Sequence, residues 1–148
     1  MNVTVLFDEE NQQQEIVLLK AWQLDHQFTY SGYAIKDDHS YTQPLNVDKT
    51  ELFIIIIGES NRFLSAQFIT DLKLIMNSTK AILCLNTNGF IGLNEDNCPR
   101  VLWDCGALHM PFDEENVRYS LNVIKPDTRI EHPTGSLHFR KDARPFDM

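Results

Sequence analysis

The chain lacks an apolar run long enough to cross a bilayer. Its longest unbroken run is Leu52–Ile57, and a spanning helix needs about 20 such residues. It also lacks a basic start: MNVTVLFDEE has neither the positive n-region nor the long apolar core of a secretory signal. Cytoplasmic residence is therefore expected. Positive charge is scarce, with 13 Lys and Arg against 21 Asp and Glu and a formal net charge of −8. That balance argues against nucleic-acid and anionic-membrane partners, which need a basic surface. Cysteine is sparse and odd in number, with three residues at Cys84, Cys98 and Cys105. Reduced thiols are the expectation. Cys98, Cys105 and His109 match no common zinc spacing, so no metal is expected.

Signature motifs are missing as well. There is no G-x-x-x-x-G-K-[ST] loop, no G-x-G-x-x-G turn, no G-x-S-x-G elbow and no H-E-x-x-H helix. The histidines, His26, His39, His109, His132 and His138, are scattered and read as surface or core residues rather than catalysts. No repeat, low-complexity block or interdomain linker divides the 148 residues, a length that suits one domain with a full core.

What is present is one strongly patterned stretch, residues 51–90. It opens with ELFIIIIGES, whose isoleucine-rich run suits a strand buried on both faces. Leu64, Phe68, Leu72 and Ile75 then recur at helical steps of four, four and three. KAILCLNTNGF restarts a short apolar strand and closes in Asn86-Thr87-Asn88-Gly89. Strand, helix, strand in about 40 residues is the βαβ unit of a parallel sheet. Ligands of open α/β sheets bind beyond the carboxyl ends of the strands. Gly58-Glu59-Ser60-Asn61 sits at such an end, where Ser60 and Asn61 cap the following helix or meet a ligand.

Around this unit, residues 2–7 read as a strand, 11–26 as a helix with an apolar face carried by Leu18, Trp22 and His26 beside Leu19, and 27–33 as a second strand. Residues 34–48 form a polar loop longer than the usual βα connection. Residues 91–100 are loop-like, followed by two short apolar pieces. Residues 113–121 open with acidic residues, as a helix start should. Residues 122–124 read as a last short strand or a final helical turn. The fold class expected is a three-layer, flavodoxin-like α/β domain over 1–124 with a mostly parallel sheet of four or five strands. The Pro-containing tail 125–148 is expected to pack loosely or be partly disordered.

Carboxylates are the best candidates for chemistry: Asp8 ending the first strand, Asp37 and Asp38 in the long loop, Glu59 ending the central strand, and Asp71 inside the central helix. A carboxylate beside a ribose orients its hydroxyls or stabilises a developing oxocarbenium ion. Asp71 stands three residues after Phe68, at the edge of the apolar face, and Asp is a middling-to-poor helix former. An exposed or capping role is its plainer reading.

Three segments are similar to the TIR-like family of bacteria and archaea, which includes small sensor subunits of Thoeris anti-phage defence. FIIIIGES resembles that family's apolar strand and polar turn, QFITDLKLIM its Trp-Val-x-x-Glu-Ile helix, and KAILCLNTNGF its Lys-x-Ile-Ile-x-Ile-x-x-Asn-Gly strand. FTYSGYAIKDD is a weaker match to a Phe-x-Asp-x-Ser-Ile-x-Asp segment. Together they cover about residues 28–90. The resemblance implies a flavodoxin-like fold and cleavage of NAD, as substrate rather than resident cofactor, to nicotinamide and an ADP-ribose-type signal, linear or cyclic. It carries the family's catalytic glutamate onto Asp71, one methylene shorter. It lines the nucleotide pocket with Phe7, Asp8, Tyr33, Ser60 and Asn61. Two departures stand out: Asp in place of Glu, and Leu6-Phe7-Asp8 where the family has Phe-Ile-Ser. Two alternatives remain: a non-catalytic TIR-like module that works by self-association, and another nucleotide-binding, deoxyribosyltransferase-like protein using Glu59.

Overall fold

The computed structural model describes residues 2–8, 11–26, 29–35, 46–59, 66–78, 80–123 and 137–138. The chain runs β1 (Asn2–Asp8), α1 (Gln13–His26), β2 (Thr29–Ile35), β3 (Leu52–Ile57), α2 (Ala66–Asn77), β4 (Ala81–Asn86), a 3-10 turn (Arg100–Leu102), β5 (Leu108–Pro111), α3 (Glu114–Val123) and β6 (Leu137–His138). All strand pairings are parallel, in the order β2-β1-β3-β4-β5-β6. The chain builds outward from β1 to β2 on one side, then returns to β3 on the other. This is a flavodoxin-like order, with its topological switch between β1 and β3.

Alternation along the strands sorts side chains into two cores, one per sheet face. On the first face Val3, Val5, Leu52, Ile54, Ile56, Leu83, Leu108 and Met110 pack under Ile16 and Leu19 of α1 and Val117 of α3. Trp22 joins this layer through Phe112, with ring centroids 5.2 Å apart. On the second face Leu6, Phe53, Ile55, Ile57, Ile82 and Cys84 pack under Phe68, Leu72 and Ile75 of α2. The run Leu52–Ile57 is wholly buried because both faces are covered, which is why it shows no polar alternation. The domain is a three-layer α/β sandwich. Each fully buried large apolar side chain contributes about 1.5–3 kcal/mol, so Phe68, Leu72 and Ile75, all at 0% exposure, hold α2 to the sheet.

Polar breaks in this pattern are matched locally. Thr50 donates its hydroxyl proton to Asn46 O at 2.7 Å, which leaves Thr4 to donate to Thr50 Oγ1 at 2.6 Å.

Several sequence expectations are corrected. The four expected parallel strands are all present, and among the described residues β5 and the two-residue β6 extend the sheet at one edge. Residues 108–111 form β5, although Pro111 and the polar His109 hide it in the sequence. Four-residue strands carry too little alternation to be seen alone. Of the two readings open for 122–124, the helical one holds for Asn122 and Val123, the last turn of α3; Ile124 lies outside the described residues. β2 runs two residues later than expected. On α1 the buried face is Ile16 and Leu19, whereas Leu18 is 44% exposed and Val17 63%. Of the tail 125–148, Leu137 and His138 pair with Leu108 and His109 at the sheet edge; the rest lies outside the described residues.

Candidate functional site

The carboxyl ends of the parallel strands meet on one edge, and α2 descends from it. Register places Leu6, Ile55, Cys84 and His109 in one row across the sheet. Two residues further along the strands come Asp8, Ile57, Asn86 and Pro111, with Ile57 paired to Asn86 and Asn86 to Pro111. Adjacent strands lie about 4.8 Å apart, so Asp8 and Asn86 flank the end of β3 about 10 Å from each other across the switch point.

Asp71 sits on α2, and its exposure is 5%. The exposed reading of this residue is therefore overturned. Phe68, Leu72 and Ile75 set the helix face that presses on the sheet, and Asp71 lies about 60° of helical arc from that stripe. Counting from Ala66 at the start of α2, the carboxylate is about 7.5 Å down the helix at 1.5 Å per residue. It is thus a buried acidic group on the helix that starts from the carboxyl edge of the sheet.

Asp8 is 7% exposed, and its carboxylate is held by the β1–α1 turn. Oδ2 accepts from Asn11 Nδ2 at 2.9 Å, and Oδ1 from the Asn11 backbone N–H at 3.4 Å. The turn closes reciprocally: Asp8 N–H donates to Gln12 Oε1 at 2.8 Å, and Gln12 N–H to Asp8 O at 2.9 Å. Asp8, Asn11 and Gln12 are therefore tied to one another at the end of β1.

Phe7 is 7% exposed and belongs to the core beneath α1 and α3. Its ring is on the opposite sheet face from α2, so the fold does not bring Phe7 and Asp71 together. Tyr33 stands on β2 opposite Leu6. Ser60 and Asn61, like Asp37 and Asp38, lie outside the described residues. Glu59 is exposed beyond β3, and Gly58 is buried.

Sequence reasoning passed over Asn86. This residue is fully buried at the end of β4, and its Nδ2 donates to two loop carbonyls, Phe90 O at 3.0 Å and Gly92 O at 2.7 Å. Two carbonyl acceptors fix the amide orientation. Its Oδ1 is buried with no hydrogen-bond partner. Gly92 adopts φ +84°, the left-handed region that suits glycine, which lets its carbonyl turn back to Asn86. The available signal was a polar residue ending an apolar strand just before Thr-Asn-Gly.

The thiols and His109 do not form a metal centre. Cys105 Sγ and His109 Nε2 each reach Leu102 O, at 3.5 and 3.2 Å, while Cys98 Sγ turns to Pro99 O. No group of three His, Cys, Asp or Glu among the described residues could hold a metal ion. Among the same residues no helix is long and apolar enough to cross a membrane.

Compared with known proteins, the chain matches no protein-family model and no curated protein.

Proposed function

We propose that this chain is a TIR-like enzyme of bacterial anti-phage defence that cleaves NAD to nicotinamide and an ADP-ribose-type signal, with Asp71 as its catalytic carboxylate. One observation carries the reading: Asp71 is 5% exposed on the helix that follows the central strand, where the TIR-like resemblance puts a catalytic glutamate. Helix propensity does not favour an aspartate at this position. A role in chemistry accounts for its presence on a face otherwise built of Phe68, Leu72 and Ile75.

In this reading the nicotinamide ribose lies at the sheet edge above Asp71. As the bond from the anomeric carbon to the pyridinium nitrogen breaks, its electrons pass to the ring and neutral nicotinamide departs. The sugar becomes an oxocarbenium ion, which the carboxylate stabilises because the attraction grows as charge develops. Water, or a nucleophile within the same nucleotide, then captures the anomeric carbon. Asp8 supplies a preset polar corner at the end of β1. Tyr33, Ser60 and Asn61 complete the lining, and Phe7 supports β1 from the opposite face.

The test is incubation of the purified protein with NAD, followed by mass spectrometry for nicotinamide and ADP-ribose-type products. Product is expected from the wild type and not from Asp71→Ala. Asp71→Glu extends the carboxylate by one methylene toward the family's usual length, and retains product. Unchanged turnover in Asp71→Ala would remove Asp71 from the mechanism.

Self-association without catalysis is the second reading, favoured by the exposed Val17 and Leu18 on α1. Light scattering over a concentration series separates the two: a mass that stays monomeric to high concentration ends the assembly reading.

A further inference from the structure

We infer that Asn88 is a site of spontaneous deamidation, which makes the exit of β4 a turn that ages chemically. Asn88-Gly89 is the one Asn-Gly pair in the sequence. Both residues are exposed. A Cβ added at Gly89 would meet nothing within 4 Å, so the turn is open to solvent on that side. That nitrogen is only loosely held, at 3.4 Å from Asn86 O.

The side chain is held against the backbone that follows it. Asn88 Oδ1 accepts from the Phe90 backbone N–H at 3.0 Å, an Asx turn. This bond polarises the Asn88 carboxamide and stabilises the oxyanion that forms at Oδ1 during addition, as any placed donor does for a tetrahedral intermediate. Holding the carboxamide against its own backbone also removes part of the entropic barrier to ring closure.

The steps balance with water alone as co-reactant. Gly89 N gives its proton to hydroxide and attacks Asn88 Cγ. Water protonates Nδ2 as the Cγ–Nδ2 bond breaks, so ammonia leaves, the hydroxide is regenerated, and a five-membered succinimide closes. Water then opens the ring at either carbonyl, giving aspartate or isoaspartate at position 88. Either product makes the formal net charge of −8 more negative by one. Isoaspartate also adds a backbone methylene within the turn that Asn86 pins through Phe90 O and Gly92 O.

None of the other asparagines is followed by glycine. Asn77 precedes Ser78, whose backbone N–H is tied to Ile75 O at 3.1 Å. Asn86 and Asn94 are buried.

The experiment is to age the folded full-length protein in mildly alkaline buffer and map its peptides by mass spectrometry. An isoaspartyl methyl-transfer assay identifies the isomer. The expected result is amide-to-acid conversion that appears first at Asn88, with isoaspartate among the products. Asn88→Gln should abolish the conversion at this position and Gly89→Ala should slow it. Thermal unfolding of both variants checks that they fold. The inference is overturned if Asn88 stays an amide in the folded protein while it converts in the urea-unfolded chain. It is equally overturned if another asparagine converts first.

Discussion

Asn86→Ala tests how the carboxyl edge of the sheet is held. The substitution removes both donors to the β4 exit loop. Gly92 is buried, and a buried carbonyl that loses its partner costs about 1–3 kcal/mol. Phe90 is 46% exposed, so its carbonyl turns to water and that bond is worth about 0.5 kcal/mol. The small cavity adds about 0.5–1 kcal/mol. Against these, Asn86 Oδ1 is already buried without a partner, and deleting it returns about 1 kcal/mol. The net loss is about 2 kcal/mol. For a chain of this size each kcal/mol moves Tm by about 2–4 °C, so a fall of about 4–8 °C is expected. Urea unfolding should show a lower midpoint at unchanged slope, since the exposed surface on unfolding is nearly the same. Asn86→Asp keeps the shape but cannot donate when ionised, and at neutral pH it should be at least as unstable as the alanine variant. Stabilities of both variants within about 0.5 kcal/mol of wild type, the range of ordinary surface changes, would refute the anchoring role.

Other outcomes follow from the same geometry. Phe68→Ala empties a fully buried site between α2 and the sheet and should cost about 3–5 kcal/mol in denaturant unfolding. Cys84 and Cys98 are buried and Cys105 is half-buried, so a thiol reagent should label Cys105 first and the other two only on unfolding. Burial raises the Tyr119 phenol above its ordinary 10.0. A phenol with a raised folded pKa stabilises the fold below its unfolded value. That contribution disappears as pH climbs through the folded one. Difference-absorbance titration should show Tyr119 ionising above pH 10, with Tyr119→Phe removing that phase.

The central βαβ unit was legible because its signals are local. Leu52–Ile57 is apolar without interruption, and Phe68, Leu72 and Ile75 keep helical spacing, so strand, helix and burial could each be read within a few residues. Asp71 was legible as a position and misread in exposure, because helical spacing places a residue on an arc but does not say how far the neighbouring layer extends over it. β5 was lost for the opposite reason: four residues with a proline and a histidine look like a loop until β4 supplies hydrogen bonds on one side. Leu18 and Ile16 could not be ranked, since α1 is apolar on more than one face and only the sheet selects which face is buried.

The amino-acid sequence determined the class of fold, because period and composition are properties of neighbouring residues. It also determined the acidic balance and the chemical liability at Asn88-Gly89. The tertiary structure alone decided that Asn86, Asp8 and Asp71 are buried and that Phe7 joins the core on the sheet face opposite α2. Strand order and register are long-range choices, made by how whole layers bury their apolar faces. No window of sequence contains them.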